Sequence, residues 1–139
     1  MKYLYIEPEV AGGLGEKTII NTSVNPPNVS KLHYKFDGWL GDILLESYPC
    51  FIIAEGAKHE LQLAGITGME FDEVLITTSE QFHELYPNLQ LPKFEWLQIM
   101  GKPGNDDFGI AQDGRLVISA RALNVLSKLG VSHALITQY

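Results

Sequence analysis

Two stretches of the sequence, offset by 65 residues, carry one pattern: FIIAEGAKHELQLAGITGMEF from position 51 and LVISARALNVLSKLGVSHALI from position 116. Each opens on three apolar residues, Phe51-Ile52-Ile53 or Leu116-Val117-Ile118, a run suited to a strand covered on both faces. Ala57 and Leu61, or Ala122 and Leu126, then recur four apart, as one face of a helix requires. Gly65 or Gly130 follows where a helix takes a left-handed terminal residue. Ile66 and Phe71, or Val131 and Ile136, mark a second strand. The predicted unit is strand, helix, stop and strand, used twice against one sheet. Duplication and independent arrival at the same packing both give this pattern, and shared packing logic is the favoured reading.

The rest of the chain adds shorter elements. Lys2 to Ile6 is rich in strand formers and ends at Glu7-Pro8. Gly12, Gly13 and Gly15 read as a mobile loop, because GGLG has neither the Lys-Ser/Thr ending of a phosphate loop nor a dinucleotide-binding spacing. Asn25-Pro26-Pro27-Asn28 excludes regular structure. Lys31 to Phe36 alternates, turning Leu32, Tyr34 and Phe36 inward and His33 outward with Lys31 and Lys35. Ile43 to Tyr48 reads as a short helix or strand, and Met69 to Ile76 as one strand. Thr77 to Tyr86 opens with overlapping capping boxes, Thr77 to Glu80 and Thr78 to Gln81, and predicts a short helix closed by Pro87. Phe94 to Ile99 is a further strand. Asp113-Gly114 predicts a two-residue hairpin turn. At 139 residues and 45% hydrophobic, the chain is expected to form one α+β domain spanning 1–139. Its sheet should be mixed and largely antiparallel, with about five to seven strands and two or three short helices.

Chemistry is sparsely marked. There is no G-x-S-x-G elbow, and Ser119 stands where the helix from Ala120 to Leu129 needs a cap. Cys50 has no partner for a disulfide and reads as a buried thiol in a reducing compartment. His33, His59, His83 and His133 are scattered, and neither His-Glu pair extends to H-E-x-x-H, so no metal and no cofactor is expected. Glu55 and His59 share a helical face but give two ligands at most. The stretch KPGNDDFG reads first as a turn with solvated acids. Its second reading is recognition, with Asp106 and Asp107 beside the aromatic Phe108, a chemistry repeated by Asp37, Trp39 and Asp42. The acids lack the EF-hand order for calcium.

Charge sharpens the partner class. With 17 acids against 10 bases the formal net charge is −7, which repels a phosphate backbone and attracts a basic protein. MKYLYIEPEV has acids and proline where a signal peptide needs an apolar run, and no run approaches the ~18 residues of a membrane span. A cytoplasmic protein that contacts neither membrane nor nucleic acid is expected.

The segments FDGWLGDILLESYPCFII, LPKFEWLQIMG, DDFGIAQDGRLVISARALNVL and GVSHALITQY resemble bacterial immunity proteins of polymorphic toxin systems, of the small α+β type. The likeness is best over 91–139 and looser over 36–76. It implies a cytoplasmic antidote that binds and blocks a cognate protein toxin, with no catalytic residues and no zinc, since paired cysteine motifs are absent. Asp106, Asp107, Phe108, Asp37, Trp39 and Asp42 are the candidate partner-binding residues. The rival reading is a small enzyme or ligand-binding domain whose pocket joins a carboxylate to His59 or His83. A third is an oligomerisation module, marked by an exposed apolar patch.

Overall fold

A computed structural model describes residues 2–139. Strand β1 (Tyr3–Glu7) precedes an excursion of four short strands, β2 (Gly12–Leu14), β3 (Ile19–Asn21), β4 (Asn28–Lys31) and β5 (His33–Phe36). The first predicted unit follows as hairpin β6 (Leu44–Ser47) and β7 (Cys50–Ala54), helix α1 (Glu55–Leu63) and strand β8 (Met69–Asp72). Strand β9 (Leu75–Thr78) and helix α2 (Glu80–Leu85) lead to β10 (Phe94–Ile99). The second unit is β11 (Phe108–Ile110), β12 (Leu116–Ser119), α3 (Ala120–Leu129) and β13 (Leu135–Gln138). The architecture is α+β with mostly antiparallel sheets.

The two units build two four-stranded sheets of one design, ordered β6-β7-β10-β8 and β11-β12-β1-β13. In each, a helix carries the chain from the hairpin over a central strand to a parallel outer strand. The central strands are exchanged. β1, which precedes the first unit, lies in the sheet of the second, and β10, which precedes the second, lies in the sheet of the first. The registers agree residue by residue. Leu97 faces Phe51 and Phe71 where Ile6 faces Leu116 and Ile136. Trp96 faces Ile52 and Asp72 where Tyr5 faces Val117 and Thr137. The 65-residue pattern is therefore a structural repeat, joined by reciprocal strand exchange across two sheets rather than laid along one.

One core lies between the helices and the sheets. Leu61 of α1 and Leu126 of α3 are fully buried there with Ile6, Leu97, Phe108 and Ile118. A second core covers the other face of the first sheet, where Tyr34, Phe36 and Phe82 pack on Ile52, Phe94 and Trp96. Its cover is the three-stranded sheet β2-β5-β9 together with α2.

Several expectations change. Thirteen strands in four sheets replace the five to seven of one sheet, because the excursion and residues 69–78 break into pieces of three to five residues. The glycine-rich segment is strand β2, not a loop; a Cβ at Gly12 would lie 1.8 Å from the Lys35 carbonyl oxygen, so only glycine allows the β2–β5 approach. His33 points inward. Its Nδ1 accepts from the Lys17 N–H at 3.2 Å and its Nε2 meets Thr77 Oγ1 at 2.7 Å. β5 is the middle strand of its sheet, and burial on both faces overrides the alternation that placed His33 outside. Thr77 and Thr78 belong to β9, and Ser79 caps α2 by accepting from the Phe82 N–H at 3.2 Å. At the second hairpin only Gly114 has positive φ, +91°, in a turn closed by Gly114 N–H to the Ala111 carbonyl, so the turn is longer than the two-residue form.

The equivalence of α1 and α3 predicts equivalent cavities. Leu61→Ala and Leu126→Ala should each lower stability by about 2–5 kcal/mol, measured by urea unfolding, with similar losses at the two sites.

Candidate functional site

Of the six residues expected at a partner surface, Phe108, Asp107 and Asp42 are buried. Phe108 fills the core between the two sheets, because its strand pairs with β12 on the helix-covered side. Asp107 accepts from Ser119 Oγ at 2.6 Å, Arg121 Nε at 2.8 Å and the Thr67 N–H at 2.9 Å, and it pairs with Arg121 Nη2 at 2.6 Å. Asp42 accepts from the Ser132 N–H at 3.0 Å and the His133 N–H at 2.8 Å. Thr67 and Ser132 are 65 residues apart. Each carboxylate therefore stands at the start of one unit and grips the loop after the helix of the other. Asp106 closes its own turn by accepting from the Lys102 N–H at 2.7 Å. Asp37 and Trp39 remain at the surface.

Those two residues belong to a loop that is held rigidly. Glu9 Oε2 accepts from the Leu40 N–H at 2.7 Å, and Oε1 accepts from the Asp42 N–H at 3.2 Å. The Trp39 indole N–H donates to the Asp42 carbonyl at 2.9 Å, and its ring stands edge-on to Phe94 at 6.1 Å. A groove of about 350 Å³ opens beside it, walled by Trp39, Tyr86 and Gln81. Val10, Leu40 and Leu85 converge on this groove with exposures of 66%, 63% and 57%, and Asp37 stands at its lip. Glu9, Val10 and Leu85 carried no signal in the sequence, because their roles depend on β1, the 37–42 loop and α2 meeting in space.

Glu9, Asp42 and His133 bring ligand atoms within 4.8 Å of one another. Every carboxylate oxygen of the pair already accepts an N–H, and Asp42 Oδ1 also meets His133 Nδ1 at 2.9 Å, so the group works as a clasp on the loop. Burial works to raise the Asp42 carboxyl, and the Ser132 and His133 bonds overcome it and hold the carboxyl below the ordinary value. Burial likewise opposes ionisation of Asp107, while Arg121, Ser119 and Thr67 bring its carboxyl down to about 2.

The groups that acid-base or nucleophilic chemistry would use are placed otherwise. Burial pushes the Cys50 thiol up to about 12, which suppresses the thiolate. Ser119 caps α3, accepting from the Ala122 N–H at 3.2 Å while it donates to Asp107. His59 shares a shallow cleft with Glu55 and Glu95, but those acids pair with Lys93 at 3.1 Å and Lys58 at 2.9 Å. His83 meets Thr78 Oγ1 at 2.8 Å on the exposed side of α2. Burial and the neighbouring Glu7 raise the Glu46 carboxyl to about 7. No helix among the described residues is long and apolar enough to cross a membrane. Compared with known proteins, the chain matches no family model and no curated sequence.

The Asp107 clasp sets a pH dependence. Its carboxyl is depressed in the folded state, so its contribution, about 2 kcal/mol, is complete above pH ~4 and is lost as pH falls toward about 2. Asp107→Asn should lower stability at pH 7 and flatten the acid limb of a stability–pH profile measured by denaturant unfolding.

Proposed function

We propose that the protein is a non-enzymatic binder, an antidote of the immunity type that neutralises a cationic protein toxin through the groove beside Trp39. The observation that carries this reading is the convergence of Val10, Leu40 and Leu85, all more than half exposed, on a groove already walled by two aromatic rings. Large apolar side chains grouped around a cleft cost solvation in an isolated molecule and are relieved when a partner covers them. Tryptophan and tyrosine are the rings that carry binding energy at such centres, and Trp39 is oriented in advance by its bonds to Asp42 and, through the backbone, to Glu9.

Charge supplies the second element. Asp37 lies at the lip, and Glu80 and Glu84 are exposed on α2, the helix that contributes Leu85 to the groove. An excess of seven negative charges speeds encounter with a cationic surface, and the apolar centre then retains it. Toxin domains that act on nucleic acid present such surfaces, and carboxylates can occupy the place of phosphate. The inhibitor would act by covering that surface, with no bond made or broken.

The partner is identified by co-purification from source cells and then tested as a purified protein. Leu40→Asp combined with Leu85→Asp should weaken its binding by about tenfold or more in calorimetry and abolish protection in a growth-rescue assay. Unfolding midpoints should stay within a few degrees of the parent. Unchanged affinity and protection would remove the groove from the interface, and turnover of a small molecule by the purified chain would replace the binding reading with an enzymatic one.

A further inference from the structure

The repeat allows one surface to be compared with its own counterpart. β8 and β13 are equivalent outer strands, each at the free edge of a four-stranded sheet. An exposed edge offers unpaired backbone donors and acceptors to any other strand, and proteins commonly guard it with charge. β8 is guarded: Glu70 and Asp72 lie on it, Glu73 follows, and all three are exposed. At the equivalent positions, 65 residues on, β13 and its surroundings carry Leu135, Thr137 and Gln138. The segment Leu135-Ile136-Thr137-Gln138-Tyr139 has no charged side chain, no proline and no glycine. Leu135, Ile136 and Tyr139 are 58%, 40% and 50% exposed.

We infer that β13 is the edge through which two copies of this chain associate, antiparallel about a two-fold axis at Thr137, joining two four-stranded sheets into one of eight. Twofold pairing sets a strand against its own sequence, so a charged edge meets like charge and an uncharged one does not. β8 fails that condition and β13 meets it. With Thr137 on the axis, Leu135 of each copy faces Tyr139 of the other, and Ile136 faces Gln138, which covers the apolar side chains left exposed in one copy. Tyr139 is already ordered for the contact, with its ring against Tyr5 at 5.2 Å and Tyr3 at 6.4 Å. This association uses a different surface from the Trp39 groove and stands or falls apart from the antidote reading.

Sedimentation equilibrium of the full chain tests it, with circular dichroism confirming the fold of each variant. The parent should be dimeric at micromolar concentration. Thr137→Lys places two ammonium groups on the axis and should give a monomer, as should Thr137→Glu; an equimolar mixture of the two should restore the dimer as a heterodimer. Glu70→Lys, on the guarded edge, should leave the dimer intact. A monomeric parent, a Thr137→Lys variant that remains dimeric, or two folded monomeric variants that fail to pair on mixing would each overturn the assignment. Dimerisation lost with Glu70→Lys instead would move the interface to β8.

Discussion

Each half of the chain gives its central strand to the sheet of the other, and the rest of the fold depends on that exchange. A four-stranded sheet without β1 or β10 would be left with a gap between its hairpin and its outer strand, with backbone groups unpaired on both sides of the gap. The strand that fills it arrives from a remote part of the sequence. Loop closure therefore opposes folding until both sheets form together, and the two halves gain stability as one unit. The carboxylate clasps act in the same direction. Asp42 and Asp107 each tie the start of one half to the loop behind the helix of the other, so both the strands and the acids cross between halves.

Repetition also makes the differences between the halves informative. The outer face of the first sheet is covered by β2-β5-β9 and α2, and this cover creates the second aromatic core. The second sheet has no such layer in its sequence. Its clasp differs as well: Asp107 is paired to a guanidinium that is charged at every ordinary pH, whereas Asp42 is held by backbone amides and an imidazole. One architecture thus supports a rigid loop carrying Trp39 at one end and an uncharged sheet edge at the other.

The sequence made the repeated units legible because their signals are local. Three apolar residues, a four-residue helical spacing and a glycine stop lie within a few turns of one another, and α3 was bounded at both ends by Ser119 and Gly130. The exchange was invisible because β1 and β10 resemble any strand, and only pairing reveals which sheet they join. His33 shows the same limit: alternation within β5 placed it outside, but β2 and β9 on either side, with Gly15 beneath its ring, put it inside. The acids misled for a related reason. Asp42 and Asp107 look like solvated turn residues in sequence, and what buries them is a loop from the opposite half. Trp39 and Asp37 were legible as an aromatic-acid pair, whereas Val10 and Leu85 join them only after folding.

The central claim is that strand exchange makes the two halves one cooperative unit. Native-state hydrogen exchange in rising denaturant tests it most directly, followed at the amides of β1, β7, β10 and β12. The account predicts that these four strands share one opening free energy and one denaturant dependence, equal to those of global unfolding. Exchange of β7 and β10 through a distinct, lower-energy opening while β1 and β12 stay protected would show two halves that fold separately, and would contradict it.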